Sequence, residues 1–421
     1  MRVVKNFTAF LWGAPFIGSI GRSIYDISII WLILDITNSE KLTGLIAMTS
    51  YLPAIFFGLF AGAIVDMYSK TRVMAFAQIM QAITVIGIPI FLLFNTFIVK
   101  DFSFEYGNLF YTAGAMWIIM IFAFFHNGFS LPFVPAFNSY LPTQVKKEKL
   151  LEANSIANIA WQSAVFIGPI VAAYFLTIIS VEYLFYITVI CYLVTALLSI
   201  RSPKEEQKQN HENFRSITKK TYQGLVYLFN DKTLLFIIVL TILSNLFVMG
   251  PAIVGIPILV KIGLGGTASN FAICEAVVGL GMLLGTGFVY KFGNRFTHGK
   301  LFLTGLFIDG ASFCLYYFIE NMIQMYILSF CHGIGIPLLI ISRVSIMQKN
   351  IPEELLGRIF SIISISIISM AAFSSGIIGF ASGKEVFGVL LDIKTIFLLF
   401  GTGAGLCGIV GFLHPKIKHL N

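Results

Sequence analysis

The chain has 421 residues, of which 57% are hydrophobic and only 11% are Asp, Glu, Lys or Arg, and its formal net charge is +8. A soluble domain carries about 25% charged residues and needs a wettable exterior, so this composition excludes a soluble protein and predicts an integral membrane protein. The basic residues fall in short gaps between apolar runs, where they determine topology, and we expect no nucleic-acid partner.

Twelve apolar stretches are long enough to cross the bilayer. About 20 such residues span the roughly 30 Å of hydrocarbon, and they must be helical because lipid offers the backbone no hydrogen-bond partner. The sequence therefore predicts an all-α membrane protein with spans at 8–34, 42–65, 73–98, 109–138, 153–179, 183–200, 234–260, 267–290, 301–319, 324–345, 357–382 and 395–414.

The basic residues also predict the orientation. With the N-terminus inside, most of the 28 Lys and Arg lie on the cytoplasmic side, and the external loops hold Lys41, Lys100, Lys261, Lys384 and Lys394. This bias favours a multi-pass protein of the cell membrane with both termini cytoplasmic. The first apolar run is too long for a signal peptide and is expected to be a retained helix.

A hydrophilic stretch at 201–233 separates six predicted spans from six more. We expect halves at 1–200 and 234–421 and a cytoplasmic linker between them, with a possible interfacial helix at 214–229. A weak repeat supports this division, since "FFHNGFSLP" and "FCHGIGIP" place His126 and His332 at matching depths of spans 4 and 10. Two pseudo-symmetric six-helix halves are typical of secondary transporters.

The loop after span 2 reads "GLFAGAIVDMYSKTRVM" and places Gly62, Asp66, Lys70 and Arg72 at regular intervals. A glycine lets two helices approach closely, and an acid at a helix end can pair with a base or with a helix N-terminus. The pattern predicts a latch that holds one conformation of two rocking halves; a solvated basic loop is the alternative.

This loop resembles that of the major facilitator superfamily. "LILDITNSEKLTGLIAMTSYLPAIFFGLFAGAIVD", "PAFNSYLPTQVKKEKLLEANS" and "IPEELLGRIFSIISISI" resemble its macrolide-efflux-like drug and siderophore exporters. The resemblance implies the major facilitator fold, a monomer, and a central cavity lined by helices 1, 4, 7 and 10. It also implies that Gly168 and Pro169 are the Gly-Pro motif that exporters carry in helix 5.

The chain departs from the family pattern at several positions. His126 stands where the family often has an arginine, and Arg22 follows Gly21 where this branch commonly has an acid. Lys291 occupies the position that matches Asp66, which leaves the expected latch in one half only.

Ionisable residues inside predicted spans are candidates for function because each is costly to bury in lipid. Arg22 and Asp26 lie four residues apart and can touch on one helix face. Either Asp26 exchanges a proton while Arg22 or a substrate competes for its charge, or the pair is a static fastener. Histidine changes charge near neutral pH, so His126 and His332 are also candidates, and Asp26 paired with His126 is the leading hypothesis.

Two further acids lie in predicted spans of the second half. Glu275 in span 8 can attract a cationic substrate or bind the coupling proton, because helix 8 flanks the cavity in the fold that the resemblance implies. Asp309 in span 9 is expected to serve packing, since helix 9 is peripheral in that fold.

The sequence contains no phosphate-binding loop, nucleophile motif or metal-ligand cluster, so we expect no enzyme, no cofactor and no metal site. A proton gradient is then the expected energy source. The sequence predicts a proton-coupled exporter of amphipathic, macrolide-like small molecules that works by alternating access. The alternatives are export of a siderophore or other metabolite, lysophospholipid transport, and a non-transporting receptor or scaffold.

Overall fold

A computed structural model describes residues 2–101, 107–146, 150–203, 225–386 and 389–420. Its helices are α1 (Arg2–Thr37), α2 (Glu40–Met67), α3 (Lys70–Asp101), α4 (Gly107–Ser130), α5 (Phe133–Gln144), α6 (Leu150–Phe175), α7 (Val181–Arg201), α8 (Lys232–Gly250), α9 (Ala268–Phe292), α10 (His298–Leu315), α11 (Met322–Asn350), α12 (Glu353–Ala381) and α13 (Ile393–Leu413). A two-stranded antiparallel hairpin, β1 (Lys384–Val386) and β2 (Val389–Leu391), connects α12 to α13.

The twelve predicted spans are confirmed within the described ranges. Twelve helical segments there are long and apolar enough to cross a membrane, from Phe10–Thr37 to Ile393–Leu413. The predicted linker lies mostly outside the described residues, although 225–230 forms a short helix before α8.

The fourth span is two helices rather than one. α4 ends at Ser130 and α5 begins at Phe133, with Pro132 between them at φ −75° and ψ −15°. Proline lacks the N–H that would continue the ladder of hydrogen bonds, and its ring clashes with the preceding turn. The fourth predicted span, 109–138, therefore contains a proline break.

The seventh span is irregular for a different reason. α8 runs into two π-helical turns, Pro251–Gly255 and Leu259–Gly263, before the span ends. The Gly250 N–H donates to Oγ of Ser374 on α12 at 2.8 Å, and that hydroxyl donates to the Leu246 carbonyl at 2.5 Å. Ser374 thus bonds both groups of one helical i, i+4 pair directly before the π-helical turns begin.

The described chain divides into two compact units. One comprises Met1–Leu42 and Thr49–His211, and the other comprises Thr43–Met48 and Glu212–Asn421. In the first unit α1 packs against α6 and α7, and α3 packs against α4 and α7. Its core includes Phe10, Phe137 and Tyr140, whose rings contact one another.

In the second unit α10 packs between α11 and α13, and α9 packs on α11. Gly281 and Gly285 of α9 make this last contact close. A Cβ on Gly285 would lie 2.6 Å from the Ile334 carbonyl oxygen, and one on Gly281 would collide with the Phe330 carbonyl. Small residues four apart allow this approach of membrane helices, and they fix the depth of α11 beside α9.

Candidate transport site

Arg22 and Asp26 form an ion pair on α1, as their spacing predicts. Nε of Arg22 lies 2.8 Å from Oδ2 of Asp26, and the two side chains are 34% and 52% exposed. Neighbouring residues such as Ile24 and Tyr25 are fully buried, so the pair lies on a less packed face of α1. An exposed pair of this kind remains accessible to a proton or a charged substrate.

His126 has a very different environment in the same unit. It is 0% exposed, and its ring stacks on Tyr25 of α1 with centroids 3.8 Å apart. Its Nε2 lies 3.4 Å from the hydroxyl of Tyr192 on α7, which is long for a hydrogen bond. Among the described residues, Nδ1 of His126 and the hydroxyl of Tyr25 have no hydrogen-bond partner.

The leading sequence hypothesis joined Asp26 directly to His126, and the structure gives them separate partners. No hydrogen bond or ion pair connects the two among the described contacts. Tyr25 lies beside Asp26 in the chain and stacks on His126. A proton relay between these two residues would therefore have to pass through or around Tyr25.

The second unit holds a buried titratable pair that the sequence analysis missed. Nδ1 of His332 on α11 lies 3.0 Å from Oδ1 of Asp309 on α10, and their side chains are 5% and 8% exposed. An ionised carboxylate only accepts hydrogen bonds, so Nδ1 carries the proton whenever Asp309 is charged. The packing role expected for Asp309 is thus incomplete, since its carboxylate also holds His332.

Aromatic side chains enclose this pair. Phe313 meets the His332 ring edge to face at 4.8 Å and stacks on Phe397 at 5.7 Å. Tyr316 stacks on Phe397 and shares a 2.9 Å hydrogen bond with Ser329. The pair is therefore packed beside an aromatic cluster, where burying a net charge costs free energy.

The remaining candidates have simpler positions. Glu275 is half-buried on α9. Lys70 begins α3, and Arg72 is exposed on its first turn, directly after Tyr68 and Ser69. Gly62 and Asp66 lie in α2, but their surroundings fall outside the described part of the chain. Lys291 lies with its Nζ 5.4 Å from the ring centroid of Phe292.

The Gly-Pro motif is a close helix contact. A Cβ added to Gly168 on α6 would lie 2.6 Å from the Cβ of Ser23 on α1. Glycine is therefore required where α6 crosses α1, next to Arg22. Pro169 lies inside α6 without ending it.

Arg343 is a second residue that the sequence analysis overlooked. It is 8% exposed on α11, and its Nε has no hydrogen-bond partner in the described part of the chain. The available signal was its place inside predicted span 10, where any charge is unusual. For Asp309 the residue was visible in the sequence, but its partner lies 23 residues away on another helix.

The sequence profile of the Major Facilitator Superfamily matches residues 11–376. The chain belongs to this superfamily. Its members are transporters and not enzymes, they act on small molecules within the bilayer, and this chain is accordingly a multi-pass membrane transporter.

Two similar sequences are named for macrolide efflux and for multidrug resistance. Macrolide efflux protein A of Streptococcus pyogenes is 23% identical over 404 residues, which cover 93% of this chain and 92% of that protein. Multidrug resistance protein MdtG of Escherichia coli is 25% identical over 241 residues, which cover 54% of this chain and 56% of that one.

Solved structures show the same fold. A mutant of the nucleoside transporter NupG superposes with a TM-score of 0.74 at 12% identity, covering 96% of this chain and 99% of that one. A D-xylose–proton symporter superposes with the same TM-score of 0.74, at 13% identity and 99% coverage of both chains. The major facilitator fold predicted from the sequence is therefore confirmed.

Proposed function

We propose that this transporter is a proton-coupled exporter of amphipathic, macrolide-like small molecules, located in the cell membrane with both termini in the cytoplasm. The observation that carries the proposal is the similarity to macrolide efflux protein A along 93% of the chain, through both six-helix halves. The similarity to MdtG over half of the chain supports the same substrate class.

The coupling proton is proposed to bind at His332 and Asp309. With His332 neutral and Asp309 ionised the pair carries one negative charge, and one added proton makes it neutral overall. Because the pair is almost fully buried, this change in net charge alters its desolvation free energy by several kcal/mol. A proton bound there would bias the transporter between two conformations, as alternating access requires.

Arg22 and Asp26 are proposed to contact the substrate. Their partial exposure leaves them open to a ligand, and Asp26 can exchange Arg22 for a cationic group on the substrate. Glu275 is the second acid that can receive such a group. The proton site and the substrate site then consist of different residues.

The test is transport into inside-out membrane vesicles. Respiration acidifies the vesicle lumen, and we expect radiolabelled erythromycin to accumulate there until nigericin collapses the pH gradient. Asp309→Asn should abolish gradient-driven accumulation but retain exchange of labelled for unlabelled erythromycin, because exchange needs no net proton movement. Asp26→Asn should impair both.

Glu320→Gln is the matched control, since Glu320 is an exposed acid outside both proposed sites. Unchanged gradient-driven transport in Asp309→Asn would refute the proton site. If no pH gradient drives erythromycin or another amphipathic drug in the parent protein, the proposed function is wrong.

A further inference from the structure

A cavity of about 860 Å³ opens in the first unit among α2, α3 and α4. None of Arg22, Asp26 and His126 lines it, so it is separate from the site described above. Its walls are almost entirely apolar, and six of its lining residues are aromatic: Phe57, Tyr68, Phe76, Phe124, Phe125 and Phe129.

The aromatic rings form a continuous wall. Phe57 meets Phe124 at a centroid distance of 6.2 Å, and Phe124 meets Phe125 at 5.7 Å. Phe125 stacks on Phe129 at 6.2 Å, and Phe129 meets Phe76 edge to face at 6.3 Å. Since each ring supports the next, the wall is formed before any ligand enters, which lowers the entropy cost of binding.

One end of the cavity is polar. Tyr68, Ser69 and Arg72 line it where α2 turns into α3, and Arg72 alone among the lining residues carries a charge. Arg72 is exposed and makes no hydrogen bond or ion pair with the described residues. A guanidinium at the mouth of an apolar cavity suits a ligand that has a long apolar part and an anionic head.

We propose that this cavity binds an anionic phospholipid, with an acyl chain along the phenylalanine wall and the phosphate on Arg72. Basic groups at the ends of membrane helices bind anionic headgroups, and tyrosine is favoured at the same depth. The volume is that of a typical small-ligand site. The lipid is a bound component and not cargo, so the site is independent of the substrate proposed above.

The position gives the lipid a structural role. It contacts α2, α3 and α4 together, and its headgroup holds an arginine of the loop motif that the sequence analysis interpreted as a latch. The lipid would therefore restrain the turn between α2 and α3. The conformation of the loop motif would then depend on the lipid composition of the membrane.

The test is native mass spectrometry of the full chain in detergent. The protein is delipidated and titrated separately with dioleoylphosphatidylglycerol and dioleoylphosphatidylcholine. We expect one phosphatidylglycerol to be retained in preference to phosphatidylcholine. Arg72→Gln should reduce that preference about fivefold, and Arg72→Lys should preserve most of it, because one basic residue near an anionic lipid contributes about 1 kcal/mol.

A second variant tests the apolar part of the cavity. Gly128 lines it, and the atom nearest to an added Cβ is the Cβ of Pro53 at 3.6 Å, so Gly128→Leu can fill space without a backbone clash. Gly128→Leu should reduce retention of both lipids. Arg295→Gln, at the corresponding loop of the second half, and Phe94→Ala, an exposed α3 residue outside the lining, are matched controls that should change neither. The thermal midpoint of each variant is measured first, and lipid retention is compared among variants whose midpoint equals that of the parent.

Several results would overturn the proposal. Arg72→Gln could retain phosphatidylglycerol as well as the parent does, or Arg295→Gln could lose as much. Displacement of the lipid by erythromycin would assign the cavity to the transported molecule, and a lipid-free dimer that Gly128→Leu dissociates would assign it to a second copy of the chain.

Discussion

At the scale of single residues, two acid–base pairs have similar nitrogen–oxygen distances but differ in how far they are buried. Arg22–Asp26 joins neighbours on one helix at 2.8 Å and is one-third to one-half exposed. His332–Asp309 joins two helices at 3.0 Å and is almost fully buried. Because the free energy of an ion pair depends on its desolvation, the two pairs should respond differently when one partner is removed.

The first prediction compares the two acids directly. Asp309→Ala should lower the free energy of unfolding by about 3 kcal/mol or more, because it leaves His332 buried without its partner. Asp26→Ala should lower it by less, because the Asp26 side chain is half exposed and the pair is less desolvated than His332–Asp309. Denaturation in one detergent measures both, and equal losses would show that burial does not distinguish the pairs.

The second prediction concerns His126, which is packed between two tyrosine rings. His126→Phe should keep the thermal midpoint within a few degrees, since a ring of similar shape fills the same space. His126→Ala should lose about 3 kcal/mol through the cavity it leaves. If His126→Phe also transports normally under a pH gradient, the residue serves packing and carries no proton.

At the scale of helices, α8 depends on a side chain from α12. Oγ of Ser374 accepts from the Gly250 N–H and donates to the Leu246 carbonyl. A Cβ on Gly250 would collide with that hydroxyl and with the backbone of Ser374. The irregular turns that follow at Pro251 are therefore held by a specific partner and are not frayed.

The third prediction follows from that bridge. Ser374→Ala should destabilise the protein by about 1–3 kcal/mol, because it removes the two hydrogen bonds that link α12 to α8. Ser366→Ala and Ser369→Ala on the same helix are the controls, since their hydroxyls bond only to α12 carbonyls. A loss no larger than in these controls would mean that α8 closes its own hydrogen bond without help.

The fourth prediction concerns the crossing of α1 and α6. Gly168→Ala should destabilise the protein by about 1–3 kcal/mol, since the new methyl group meets the Cβ of Ser23. Adding Ser23→Gly should recover part of the loss, because it removes the atom that clashes. Thermal unfolding of the single and double variants measures this coupling, and strictly additive losses would contradict the contact.

At the scale of the whole molecule, the chain forms two units that each have their own apolar core. The side of the membrane that each terminus and loop faces is set by the orientation of the spans in the bilayer. The basic residues of the sequence predict that the N-terminus, the C-terminus and the loop that contains Arg295 face the cytoplasm.

The fifth prediction tests that orientation by cysteine labelling, with the five natural cysteines replaced. Asn38→Cys and Glu320→Cys are exposed positions between spans and should react with a membrane-impermeant maleimide on intact cells. Arg295→Cys and Lys416→Cys should react only after the cells are permeabilised. The opposite pattern would reverse the proposed topology.

The sequence by itself determined the helical class, the number and approximate bounds of the spans, and the superfamily. The helical class and the spans depend on local hydropathy, since each span must be apolar over its own 20 or so residues whatever its neighbours are. The superfamily was indicated by the resemblance of the loop motif and the quoted segments. The Arg22–Asp26 contact was equally predictable, because four residues on one helix bring two side chains together.

Only the tertiary structure decided which residues from different helices meet. His332 contacts Asp309 on another helix, and His126 contacts Tyr25 and Tyr192. Ser374 bonds Gly250 of α8, which is 124 residues away in the chain. The phenylalanine-lined cavity is of the same kind, since its walls come from three helices. Hydropathy sets how deep a residue lies in the bilayer, but the rotation and packing of the helices set what it touches.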